Sequence, residues 1–109
     1  MEARILPACP VETTLTLISD KWKVLIIRDL LPGTKRFGEL KKSIGSVSQK
    51  VLTAQLRQME ESGLLTRTVY PEVPSRVEYT LTELGQSLRP VLEALKNWGE
   101  EYNAKMSGE

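Results

Sequence analysis

Apolar positions divide the chain into helical stretches and one pair of strands. In the first stretch Val11, Leu15 and Ile18 follow Pro10 at helical spacing, which predicts a short helix over about residues 9–19. Asp20 is a suitable N-cap for a second helix, which Pro32-Gly33 ends. The positions predicted to face inward on that second helix are Trp22, Leu25, Ile26 and Leu30.

The clearest helical signal lies between Ser48 and Gly63. Ser48 is a good N-cap, a buried stripe is predicted at Leu52, Leu56 and Met59, and Gly63 ends the helix. The three-residue turn "GSV" (45–47) precedes it. Before that turn, Phe37, Leu40 and Ile44 share one face of a helix of about two turns.

Two strands and a last helix complete the pattern. "LLTRTVY" (64–70) and "RVEYTL" (76–81) read as a hairpin, held to the core by Val77, Tyr79 and Leu81. Thr82 caps a long C-terminal helix over about 82–105, which Pro90 is expected to kink or split. The order α-α-α-turn-α-β-β-α predicts a mainly α, dimeric winged helix-turn-helix, with residues 1–109 as a single domain.

Composition narrows the class of function. The net charge of the 109 residues is only +1, but residues 21–57 carry nine Lys and Arg against Asp29 and Glu39, a local charge of +7. Residues 77–109 carry a charge of −3. Such a bipolar chain attracts an anionic polymer locally while it stays soluble.

Enzyme classes find little support in the sequence. The chain has no histidine and one cysteine, so it lacks an imidazole base, a histidine metal site and a thiolate zinc site. No phosphate-binding loop or nucleophile elbow occurs, and we expect no cofactor and no metal. No apolar run approaches the ~18 residues that suggest a membrane span, and one cysteine fits a reducing compartment, so a cytoplasmic protein is expected.

The face of the 48–62 helix opposite its apolar stripe is the candidate DNA-reading face. It has no carboxylate before Glu60, and Gln, Lys, Thr and Arg hydrogen-bond base edges and phosphates. The plain alternative is a solvated polar face. We favour contact with double-stranded DNA through Ser48, Gln49, Lys50, Thr53, Ala54 and Arg57.

Two further sets of residues are candidates for contact with the DNA backbone. Lys35, Arg36, Lys41 and Lys42 flank the first helix of the motif, which normally crosses the backbone. At the hairpin tip, Arg76 beside Ser75 is the candidate for the minor groove or a flanking phosphate. Arg67 ranks below Arg76 because it shares the strand parity of Leu65 and Val69.

The last helix predicts a dimer seam. Its apolar residues are spaced 4-3-4-3-4, which is an a/d pattern: Leu84, Leu88, Val91, Leu95, Trp98 and Tyr102. The alternative is a core helix of the chain's own domain. A dimer interface through Leu88, Val91, Leu95, Trp98 and Tyr102, joined by the first helix, is the preferred interpretation.

Cys9 precedes Pro10 at the start of the first helix. The field of a helix N-terminus favours the thiolate, so redox sensing through Cys9 is a hypothesis, with an inert cysteine as the alternative.

Three stretches of the sequence resemble the HxlR-type family of bacterial transcriptional regulators. They are "CPVETTLTLISDKWKVLIIRDLLPGTKRFGEL", "SQKVLTAQLRQMEESGLLTRTVYPEVPSRVEYTLTELGQSL" and the "WG" of residues 98–99. A more distant similarity links the chain to MarR-type winged-helix regulators. The resemblance implies a homodimer that binds an operator with dyad symmetry as a repressor or an activator, with the terminal helices at its interface.

The resemblance also bears on the effector. Some members of the family use a cysteine at the position of Cys9 to sense electrophiles or oxidants, and a small-molecule or redox effector is therefore expected without being identified. This chain has no second cysteine. A disulfide switch would need Cys9 of the other subunit or a small thiol.

One competing class of function stays open on the sequence alone. A winged helix could bind protein and no nucleic acid, although such a module would not need the acid-free face of residues 48–57. RNA binding is disfavoured because the stacking aromatics of single-strand readers are missing.

Overall fold

Six helices and a three-stranded sheet make up the part of the chain that the computed structural model describes, residues 6–108. In chain order they are α1 (Pro10–Ile18), α2 (Lys21–Leu30), β1 (Lys35–Arg36), α3 (Phe37–Ile44), α4 (Gln49–Glu61), β2 (Leu65–Tyr70), β3 (Arg76–Leu81), α5 (Glu83–Gln86) and α6 (Arg89–Met106). The predicted winged helix-turn-helix is confirmed.

The core forms where α2, α3, α4 and the base of the hairpin meet. Leu52, Leu56 and Met59 of α4 are buried as predicted. On α2 the prediction for Leu25 was wrong, because Leu25 is half-buried and Ile27 is fully buried beside Ile26. Helix α2 contacts α1, α3, α4 and β3, so its buried stripe is wider than a single-sided pattern suggests.

Local hydrogen bonds fix both ends of α4. The Ser48 hydroxyl oxygen accepts a hydrogen bond from the Val51 N–H at 3.1 Å, as an N-cap does. At the other end Gly63 has φ +81°, and the N–H groups of Gly63 and Leu64 each donate to a carbonyl of the last turn at 3.0 Å. This Schellman arrangement requires a residue that tolerates positive φ, and it directs the chain into β2.

The sheet is antiparallel with strand order β1-β3-β2, so β2 is an edge strand. Leu65 pairs with Leu81 at the base of the hairpin, and Tyr70 pairs with Arg76 near its tip. Strand β1 was not predicted, because two residues give no alternation; Lys35 pairs with Tyr79 and Arg36 with Glu78.

The C-terminal helix is split near Pro90, as expected, into two helices. α5 ends at Gln86 and α6 begins at Arg89, which places Pro90 in the first turn of α6, where its missing N–H removes no hydrogen bond. Thr82 caps α5 by accepting from the Gly85 N–H at 3.1 Å. A Cβ at Gly85 would collide with the Leu64 carbonyl, so this glycine lets α5 pack on the corner between α4 and β2.

Candidate DNA-binding surface

The outward face of α4 is an open polar surface. Its members are all exposed and line one shallow depression: Gln49, Lys50, Thr53, Ala54 and Arg57. The opposite face of the same helix is buried in the core, so the helix is held rigidly while this side stays free. The structure therefore brings together the residues predicted to read bases.

Two hydroxyl groups on this helix already take part in local hydrogen bonds. Ser48 accepts from the backbone of Val51, which leaves its own proton free to donate to a phosphate. Thr53 donates to the Gln49 carbonyl at 2.8 Å, which leaves its oxygen able to accept. Each group keeps one hydrogen-bonding function for a ligand.

A groove of about 430 Å³ runs between α4 and the sheet. Its walls and floor are Phe37, Gln49, Thr53, Arg57, Glu60, Arg67, Val77 and Tyr79. Arg67 was ranked low because it shares the face of Leu65. That face is correctly assigned, but it is buried only at the base of β2, and at Arg67 it has opened into this groove.

Arg76 does not project freely from the wing. Its Nη2 lies 3.2 Å from Glu72 Oε2, and its Nε lies 3.4 Å from Glu78 Oε2, within ion-pair distance although not aligned as a hydrogen bond. The guanidinium also lies 4.0 Å from the centre of the Tyr70 ring. Ser75 is exposed at the tip. The structure does not favour the ranking of Arg76 above Arg67.

The four predicted backbone contacts do not lie together. Arg36 lines a groove beside the wing tip, together with Ser75 and Arg76. Lys35 is half-buried and shares a different cavity with Asp29 and Glu39. Lys42 is exposed and Lys41 half-buried in the last turn of α3.

The terminal helices present a second, apolar surface. None of the 18 described residues of α6 is buried, and Trp98 and Tyr102 stack on each other with ring centres 5.4 Å apart. Leu95 is also exposed, and Val11 and Leu15 of α1 are exposed apolar residues. Leu88 was predicted at the dimer interface, but it is buried in the chain's own core. Val91 is half-buried and packs against that core.

Cys9 occupies the N-cap position of α1 and is exposed. Its carbonyl accepts from the Thr13 N–H at 3.2 Å, while its side chain makes no capping hydrogen bond. The thiol is therefore accessible.

The described residues contain neither a metal-binding cluster nor a membrane-spanning helix. Over residues 6–108 no group of three or more Cys, Asp or Glu side chains is arranged to hold a metal ion. No helix in that range is long and apolar enough to cross a membrane.

Fold and surface together define a class of protein. A Gly-containing turn joins α3 to an α4 whose outward face is polar and open, and a hairpin follows directly. This is the winged helix-turn-helix arrangement of DNA-binding regulators.

The chain belongs to the HxlR-like helix-turn-helix family, whose profile matches residues 17–107. It is 47% identical to YdeP of Bacillus subtilis, named as an uncharacterized HTH-type transcriptional regulator, over 90% of this chain and 77% of that protein. The solved structure of the redox regulator HypR in its reduced form is similar with a TM-score of 0.85 and 40% identity, covering 93% of this chain and all of that one. Quinone-bound YodB from B. subtilis is similar with a TM-score of 0.74 and 35% identity, covering 85% and 98%.

These similarities identify the chain as a helix-turn-helix transcriptional regulator. The competing interpretation, a winged helix that binds only protein, receives no support from them. Membership of the family implies DNA binding.

Proposed function

We propose that two copies of this chain form a dimer that binds a dyad-symmetric operator and represses or activates transcription there. Each copy would insert α4 into the major groove of one half-site. Helix-turn-helix dimers read half-sites one helical turn apart, so the symmetry of the protein is expected in the operator.

The acid-free outer face of α4 is the single observation that carries this proposal. Lys50 and Arg57 offer donors to guanine edges or phosphates, Gln49 suits adenine, and Ala54 permits close approach. Ser48 and Thr53 retain one hydrogen-bonding function each. A face that only needed solvation would have no reason to exclude carboxylates over three turns.

The dimer is supported by the apolar surface of the terminal helices. Trp98 is 69% exposed and Leu95 51%, values that are costly for large apolar side chains in a lone copy. Leu95, Trp98 and Tyr102 follow a/d spacing on α6, which suits packing against the same helix of a second copy. Leu15 of α1 would extend the interface.

The decisive experiment is a footprint of the purified protein on the DNA upstream of its own gene, with affinity measured across a salt series. We expect two protected half-sites about 10 base pairs apart and a steep loss of affinity as salt rises, because bound cations are released from phosphates. No affinity for that DNA at low salt would contradict the proposal, and so would protection of a single half-site by a monomer.

We also propose that Cys9 couples DNA binding to electrophiles or oxidants. Its thiol is exposed at the N-terminus of α1, the helix that would extend the dimer interface. Two structural relatives are described as a redox regulator and as a quinone-bound regulator. With a quinone, the thiolate would add to a ring carbon: the C–S bond forms, the C=C π bond of the ring breaks, and its electrons pass to the conjugated carbonyl oxygen. That oxygen takes up a proton from solvent and becomes a hydroxyl.

The test measures alkylation of Cys9 at neutral pH and operator affinity before and after treatment with a quinone. We expect alkylation faster than that of a free thiol and a changed affinity, with Cys9→Ser insensitive to treatment. An alkylation rate no higher than that of a free thiol would reject the sensing role and leave the DNA-binding role intact.

A further inference from the structure

We propose that Arg67, on the first strand of the wing, supplies the wing's contact to a DNA phosphate, and that Arg76 is a positioning residue that does not touch DNA. This inference rests on the proposed DNA-binding function and assigns new roles within the same surface.

Arg76 is already occupied within its own hairpin. Glu72 and Glu78 both lie within 3.4 Å of its guanidinium, and the Tyr70 ring covers one side of it. A phosphate would have to displace two carboxylates and would approach a cluster whose charge is −1. These contacts join the two strands and the turn between them, so they rigidify the wing instead of preparing it for an anion.

Arg67 has the opposite surroundings. Over the described residues 6–108 no carboxylate lies within ion-pair distance of its guanidinium, and its side chain is exposed. It pairs in register with Tyr79, so both side chains lie on the face of the sheet that turns toward α4. Leu65, two residues earlier on that face, is sealed in the core, whereas Arg67 has reached the open groove.

The groove joins Arg67 to the recognition helix. Arg57 and Arg67 line it together with one carboxylate, Glu60, and with the polar side chains of Gln49 and Thr53. When the outer face of α4 enters the major groove of DNA, the protein groove beside α4 lies next to one of the two DNA strands that border the major groove. The guanidinium of Arg67 is therefore positioned to donate paired hydrogen bonds to a phosphate of that strand and not to a base edge.

The experiment compares Arg67→Ala, Arg76→Ala and the charge-matched control Lys96→Ala, which lies on α6 outside the groove. Binding to the upstream DNA and to a random duplex is measured from low to high salt, and thermal unfolding is followed for each variant. We expect Arg67→Ala to lower affinity about tenfold for both duplexes and to reduce the salt slope by about 1, because one phosphate contact is lost. Arg67→Lys should recover most of the slope, since the charge remains.

For Arg76→Ala we expect an unchanged salt slope and a lower melting temperature, because the ion pairs within the hairpin are lost. The inference is overturned if Arg67→Ala behaves like Lys96→Ala, or if Arg76→Ala reduces the salt slope as Arg67→Ala should. If the wild-type protein binds DNA and Arg57→Ala weakens it while Arg67→Ala does not, only this inference fails. If the wild-type protein binds no DNA, the proposed function itself fails.

Replacing Glu60 gives a second, independent test of whether a phosphate binds in the same groove. A phosphate bound by Arg67 in this groove would be repelled by this carboxylate. Glu60→Gln should therefore tighten binding to both duplexes about two- to threefold at low salt, and less at high salt. An affinity unchanged by Glu60→Gln would argue against a phosphate in the groove.

Discussion

Helices α4 and α6 have similar apolar stripes but opposite degrees of burial. On α4 the stripe of Leu52, Leu56 and Met59 is at most 1% exposed. On α6 the stripe runs on to Trp98 and Tyr102, which are 69% and 41% exposed. The sequence periodicity of the two helices does not distinguish them, because it reports that a helix has an apolar side and not which molecule covers it.

The polar sides of the two helices differ as well. The outward face of α4 carries Lys50 and Arg57 with no carboxylate before Glu60, whereas the exposed side of α6 includes Glu93, Glu100 and Glu101. Helix α6 also carries the exposed cations Arg89, Lys96 and Lys105, so its charges cancel, and only the outward face of α4 offers an anionic duplex a locally positive surface. The apolar stripe of α4 is covered by its own chain, whereas that of α6 is exposed from Leu95 onward.

The strongest test of this comparison is a matched pair of leucine truncations. Leu56→Ala should lower the free energy of unfolding by about 2–5 kcal/mol, because it leaves a cavity in a close-packed core. That is a large part of the roughly 5–15 kcal/mol typical of a domain. Leu95→Ala should cost much less in dilute solution, where a lone copy already exposes this side chain. Urea unfolding at several protein concentrations measures both, and equal losses at the lowest concentration would show that α6 is packed within its own chain.

The next largest effect is expected at the dimer surface. Trp98→Ala should weaken self-association by about 2–4 kcal/mol, as the loss of a central aromatic anchor does. Asn97→Ala, one residue away and off the a/d stripe, is the matched control and should leave association unchanged. Sedimentation equilibrium gives both values. A Trp98→Ala protein that associates like the wild type would place the interface elsewhere.

The sequence predicted an element correctly where the residues that determine it lie close together in the chain. Ser48, the apolar stripe and Gly63 all lie in α4 or within two residues of its ends, and both ends and the buried face of this helix were predicted correctly. Strand β1 exists because Lys35 pairs with Tyr79, 44 residues further along the chain, and no pattern within two residues can indicate that partner.

Arg67 and Leu88 show the same limit for site residues. Strand parity correctly assigned Arg67 to the face of Leu65, but it could not tell how far along the strand the core extends. Heptad spacing included Leu88 in the dimer seam, although the break before α6 places that side chain in the chain's own core. In both cases the pattern gave the direction of the side chain, and tertiary packing decided what it contacts.

If Arg57 reads a base, its removal should lower DNA affinity by an amount between the effects above and the one below. Arg57→Ala should cost about 1–3 kcal/mol on the operator and less on a random duplex, so that specificity relaxes. Gln58→Ala, the exposed neighbour outside both α4 surfaces, serves as the control. Competition binding measures the difference, and equal losses on both duplexes would reduce the role of Arg57 to electrostatics.

The smallest expected effect on DNA affinity distinguishes Lys42 from Lys35, which were both predicted to contact the DNA backbone. Lys42 is exposed in the last turn of α3, where a phosphate contact requires no rearrangement, whereas Lys35 is half-buried in a cavity that also holds Asp29 and Glu39. Lys42→Ala should weaken binding to all duplexes by roughly 1 kcal/mol or less and reduce the salt slope by about 1. Lys35→Ala should change the slope less, because its half-buried side chain would have to leave this cavity to reach a phosphate. Salt titrations of both variants on one random duplex decide the point. An equal reduction in slope would mean that Lys35 swings out of its cavity on binding, and that the DNA-facing surface extends past α3 to β1.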